Sequence, residues 1–275
     1  MRFTMRLPLF LFLMVAPLAL HAAESGDMLR QVEDAMKAGR TNDALMLASQ
    51  AVAAQPNNAA AYFLRGTLLA RVGNHTNAIS DFSRAAQLDP KPLVFQHRGV
   101  EHFRVGSFDK SVADFDKFIE LVPQQAPQHW QRGISCYYAG KFAEGRKQFE
   151  SHQTVNPNDV ENAVWHFLCV AKISSAERAR ASLMEIKGDR RVPMKEIHSL
   201  FAGEGTAEQV LDASKKAGTE EALFYAHLYL GLYYDALGDK LKTREHIFKA
   251  ARDFKAPHYM GDVARVHAGV LEKQK

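Results

Sequence analysis

Residues 59–91 read AAAYFLRGTLLARVGNHTNAISDFSRAAQLDPK, and residues 92–125 read PLVFQHRGVEHFRVGSFDKSVADFDKFIELVPQQ. Laid one over the other, they place Gly66 on Gly99, Gly73 on Gly106, Phe82 on Phe115 and Pro90 on Pro123. The match extends both ways along the chain. Gly39, Gly73, Gly106 and Gly140 stand 34, 33 and 34 apart, Pro56, Pro90, Pro123 and Pro157 show the same intervals, and Gly66, Gly99 and Gly133 stand 33 and 34 apart. Each unit holds two helix-length apolar patterns separated by a glycine, and no strand signals interrupt them. At the eighth place of a unit, Gly66, Gly99 and Gly133 have no Cβ, so a second helix can approach the first closely. At the fifteenth place a glycine suits the left-handed residue that ends a helix. Phe82, Phe115 and Phe149, at the twenty-fourth, are sized to fill the space between units, and the prolines end each second helix.

A 34-residue helix–turn–helix period resembles the tetratricopeptide repeat. Units fall at 25–58, 59–91, 92–125 and 126–159; the first is the poorest, with Val32 in the glycine place and Ala48 in the phenylalanine place. The resemblance implies an all-α chain: a right-handed α-solenoid of antiparallel helix pairs whose stacked first helices line a concave face.

Beyond the fourth unit the register lapses. Residues 160–172 form an apolar helix pattern, Ser174 or Ser175 can cap a helix to about Ile186, a loop covers 189–193, and a short helix runs to Phe201. Thr206 and Gln209 have the spacing of a capping box for a further helix to about Lys216. Gly231 and Gly238 then restore the seven-residue spacing of Gly66 and Gly73. The division expected is a leader at 1–23, four repeats at 24–159, irregular helical pairs continuing the solenoid at 160–218, and a repeat-like hairpin with a capping helix, Tyr259 to Glu272, at 219–275.

The leader reading rests on Arg2 and Arg6 ahead of an apolar stretch from Leu7 to Leu20 and the small pair Ala22-Ala23. That stretch is 14 residues long and holds two prolines, short of a membrane-spanning helix. The expected protein is exported, periplasmic or secreted, and not inserted in a membrane after cleavage. Its formal net charge of +4 is too small to indicate nucleic acid as a partner. Cys136 and Cys169 are too few for a disulfide framework and sit in apolar helices, as buried free thiols or a mutual pair.

The whole plan also resembles a group of exported bacterial tetratricopeptide proteins, one of which is an outer-membrane lipoprotein that scaffolds cell-wall hydrolases. The likeness lies in the leader, the four repeats, the stretch around Trp165-His166-Phe167-Leu168, and the hairpin with Tyr229-Leu230-Gly231-Leu232-Tyr233-Tyr234. That relative is lipidated at a cysteine after its signal; this chain has none there, so lipidation is not expected.

Catalytic signatures are missing from the sequence: it has no nucleophile elbow, Walker loop, dinucleotide fingerprint or HExxH. His97 and His102 are five apart, on different helix faces, and no metal or cofactor is expected. A hydrolase would have to assemble His166, Asp189 and Glu204. Arg190-Arg191 reads as a solvated loop or local salt bridge.

The resemblance points instead to the concave face, lined in such repeats by the second, fifth, ninth, twelfth and thirteenth places. Phe63, Arg71, Gln96, Arg104, Trp130, Tyr137 and Tyr138 occupy such places and are the candidate partner-binding residues. Aromatics and arginine are the types enriched where proteins bind one another; Tyr137, like Phe103, can equally pack between helices. The expected function is an interaction scaffold of the cell envelope that takes a peptide or helix in the groove. The alternative is self-association, for instance as a homodimer, through Phe224, Tyr225, Tyr229, Tyr233 and Tyr234.

Overall fold

A computed structural model describes residues 16–274, with side chains from Asp27 onward. Most of the leader lies outside the described residues. The chain forms antiparallel pairs: α1 (Ala16–Lys37) with α2 (Thr41–Ala54), α3 (Ala59–Arg71) with α4 (His75–Leu88), and α5 (Pro92–Arg104) with α6 (Phe108–Leu121). A 3-10 turn at Pro123–Gln125 delays the next pair, α7 (Trp130–Tyr138) and α8 (Phe142–Gln153). Strands are absent among the described residues.

The glycine ladder works as steric complement. A Cβ built on Gly66, Gly99 or Gly133 would stand 2.9, 2.7 or 2.6 Å from the ring of Phe82, Phe115 or Phe149. Gly231 in α13 (Glu220–Leu237) has the same relation to Ile247 in α14 (Lys240–Arg252), at 2.6 Å. In the first pair the sizes are reversed: Val32 and Ala48, again sixteen residues apart, are buried in one cluster. The glycines that close the first helices, Gly39, Gly73, Gly106, Gly140 and Gly238, all have φ between 70° and 79°.

A second ladder is electrostatic. Arg65 grips Asp81 through Nε and Nη2, both at 2.7 Å, and one unit later Arg98 grips Asp114 at 2.9 and 2.6 Å. Each bridge ties the two helices of its own unit. The third arginine, Arg132, finds Gln148 where the aspartate would be and turns to Asp116 and Glu144.

After α9 (Val160–Ile173) the helices shorten: α10 (Ala176–Ala181), α11 (Met194–Ala202) and α12 (Ala207–Ala217). The helix expected to reach Ile186 stops at Ala181 because the backbone beyond it is held by other elements. His198 donates to the Met184 carbonyl at 2.8 Å, and the Lys187 N–H donates to Asn158 Oδ1 at 3.4 Å. The Thr206–Gln209 capping box opens α12. Helix α13 packs on α9, and Tyr137 and Lys172 both bind Asp235 near its end, at 3.2 and 3.1 Å. One apolar core therefore runs from Phe103 to Leu271, whereas the first two pairs hold small separate clusters.

The last helix, α15 (Tyr259–Lys273), packs on α14 but is more than an end cap. It also reaches α5 across the concave side. Its apolar stripe, Met260, Val263, Ala264, Ala268 and Leu271, is buried.

Candidate functional site

The concave face is divided by α15 into a covered half and an open half. In the covered half, Arg104 donates through Nε to Asp262 of α15 at 2.9 Å and through Nη1 to Glu101, whose other oxygen accepts from His75 Nδ1 at 2.6 Å. Tyr138 Oη and His267 Nδ1 share a hydrogen bond at 2.9 Å. Trp130 meets Tyr259 edge-on at 5.2 Å, and Phe103 stacks on the same tyrosine at 5.1 Å. Tyr137 is buried against Phe142 and Trp165, with its hydroxyl on Asp235. Thus four of the seven candidate residues, Arg104, Trp130, Tyr137 and Tyr138, meet the chain's own α13 and α15.

The other three lie toward the open half. Phe63 packs half-buried against Phe82 and His97 at 5.7 and 5.1 Å. It lines a cleft of about 1130 Å³ between the N-terminal ends of α3 and α5, together with Pro56, Pro92 and Leu93, the last 59% exposed. Arg71 is exposed and has no hydrogen-bond or ion-pair partner among the described residues. Gln96 is committed to a polar relay: His129 Nε2 donates to its Oε1 at 2.6 Å, and its Nε2 donates to Gln131 at 2.7 Å. Burial holds His129 near pKa 4 and therefore neutral.

The hairpin aromatics that motivated self-association pack within one chain. Phe224, Tyr225 and Tyr229 are buried, and Tyr233 and Tyr234 rest half-buried on Phe201 and His246. The three residues considered for hydrolysis do not converge: His166 lines a cleft with Glu150, Asp189 lines a different one, and Glu204 is exposed on the turn between α11 and α12. Cys136 and Cys169 are free and buried, both against the face of Gly145 that a Cβ would fill, and burial pushes the Cys136 thiol up to about 11. Arg191 does more than the local bridge expected of it, since its guanidinium gathers Asp159, Glu161 and Asp189. Its side chain is the exposed lid of a cluster assembled by α9 and the 189–193 loop. Nothing in the local sequence marks this, because the partners lie some 30 residues apart.

Residues 29–91 match the family model described as tetratricopeptide repeat. Among solved structures, a tetratricopeptide repeat protein from Parabacteroides merdae is similar with a TM-score of 0.57 at 14% identity, over 90% of this chain and 98% of that one. A MamA protein is similar with a TM-score of 0.54 at 13% identity, over 70% of this chain and 93% of that one. MamA from Desulfovibrio magneticus RS-1 is similar with a TM-score of 0.52 at 12% identity, over 57% and 89%. These likenesses show the solenoid architecture, and residues 29–91 carry the tetratricopeptide repeat itself.

Proposed function

We propose that this protein is an adaptor of the bacterial cell envelope that holds a peptide or helix of a partner protein in the open, N-terminal half of its concave groove. The tetratricopeptide fold is one of protein–protein interaction, and solenoids of this kind bind along the concave face. The observation that carries the reading is the uncovered cleft itself: Phe63 and Leu93 present apolar surface at concave places of successive units, and Arg71, unpaired, stands on the same helix as Phe63. The covered half supports it by analogy within the molecule. There the same concave places already hold an amphipathic helix, α15, through an arginine–carboxylate bond and ring contacts. A partner helix with an acidic residue beside an apolar stripe would make equivalent contacts with Arg71 and Phe63. The envelope assignment rests on the leader pattern at 1–23.

The test is capture from an envelope extract by the wild-type protein and by Arg71→Glu. Arg71 has no internal role, so the variant should melt like wild type and retain the bound protein at least tenfold less well. Equal capture by the two would refute the assignment of this half of the groove.

A further inference from the structure

Beneath α15, in the covered half, lies a second cavity of about 320 Å³, neither sealed nor flat. Trp130, Trp165, Tyr225 and Tyr259 line it from α7, α9, α13 and α15, so it exists only while α15 is docked. These include both tryptophans of the chain. At its polar side stand Asp159, Glu161 and Arg191, and Asp189 backs the arginine. Three carboxylates therefore share one guanidinium, which leaves an excess of negative charge; of the two lining histidines, His152 bonds the Pro127 carbonyl and burial lowers the pKa of His258. Glu161 also accepts from the Tyr229 hydroxyl, and its side chain keeps 14% of its surface exposed although helices surround it. Burial pushes its carboxyl above the ordinary range, with Arg191 and Tyr229 offsetting part of the effect. Two further lining residues are almost wholly buried with unmet polar atoms: Trp165 Nε1 and Asn162 Oδ1 have no hydrogen-bond partner among the described residues.

The geometry points to a binding site for an alkylammonium group, seated among the aromatic rings with its charge directed to Glu161 and Asp159. A cation over aromatic faces is attracted by their quadrupoles, the more so away from water, and the carboxylates, three to one guanidinium, complete the recognition. The same chemistry arrives as a free amine or as a lysine side chain of a partner peptide. Either way the site is separate from the cleft at Phe63 and from Arg71, and Arg71→Glu leaves it intact.

Because Trp130 and Trp165 are the chain's two tryptophans, intrinsic fluorescence reads this cavity directly. The full chain is titrated with n-butylammonium chloride, with n-butanol as the neutral counterpart of equal body, and with the peptides acetyl-Gly-Lys-Gly-amide and acetyl-Gly-Gln-Gly-amide. The expected result is a saturable change with an ammonium probe at least tenfold tighter than with its neutral counterpart, weakened at least tenfold in Glu161→Gln. Tighter binding of the lysine peptide than of butylammonium identifies a partner side chain as the source; equal or weaker binding identifies a free amine. Absence of saturation with both ammonium probes, or butanol matching butylammonium, overturns the proposal. That wild-type comparison decides alone should Glu161→Gln fail to fold.

Discussion

At the residue scale, the glycines do two different jobs that one substitution separates. Gly99 and Gly269 are both helical, and replacing glycine by alanine inside an unobstructed helix stabilises by about 1 kcal/mol. At Gly269 nothing lies within 4 Å of the added carbon. At Gly99 the carbon would stand 2.7 Å from the Phe115 ring, which is itself fully buried and cannot swing aside. Gly269→Ala should therefore raise the melting temperature, and Gly99→Ala should lower stability by about 1–3 kcal/mol through overpacking, as chemical denaturation of the two variants would measure. This contrast was legible in the sequence for Gly99, because a glycine and a phenylalanine sixteen residues apart recur in three successive units. The Arg–Asp bridges were equally periodic in Arg65-Gly66 and Arg98-Gly99, yet a polar pair carries no apolar signal and escapes a reading built on hydrophobic spacing. Titration adds a further residue-scale effect. Burial pushes His129 and His227 down to about 4, below the ordinary 6.5 of an exposed imidazole. The unfolded chain then binds more protons than the folded one between those values, so stability is complete above about pH 6.5 and falls as pH drops toward 4. A melting curve measured against pH should show that decline, and a flat profile from 6.5 to 4.5 would contradict it.

At the scale of the element, α15 is the feature whose existence the sequence conveys and whose position it does not. The periodic Met260, Val263, Val266 and Val270 announce an amphipathic helix. Where that helix lies depends on how far the out-of-register helices α9 to α12 turn the chain, a quantity with no local signature. Its docking is held by Arg104–Asp262, partly shielded from solvent, and by Tyr138–His267 over the apolar stripe. A charge-assisted hydrogen bond in such a setting is worth about 1.5–3 kcal/mol. Asp262→Asn should accordingly speed proteolysis near residues 255–258, the link between α14 and α15, while leaving the helical content unchanged. Burial also lowers the pKa of His267, so acidification below neutrality disfavours α15 in place. The early end of α10 has the same origin as the placement of α15, since contacts from His198 and Asn158, distant in sequence, override the local helix signal.

On the scale of the whole molecule, two unequal parts share one solenoid. From α5 onward a continuous core binds the helices into a unit, whereas α1 to α4 stack as quasi-independent pairs on small clusters. In such arrays local opening follows the weakest interfaces, so amides of α1 to α4 should exchange with deuterium before those of α9 and α13. The open cleft lies in the less stable part and the cavity beneath α15 in the more stable one. The chain fills the covered part of its own groove with α15. In hydrogen exchange followed by mass spectrometry, the amides of Tyr259–Lys273 should exchange as slowly as those of α9 and α13, and more quickly in Asp262→Asn. Exchange of that segment within seconds in the wild-type protein, as for an undocked tail, would contradict it.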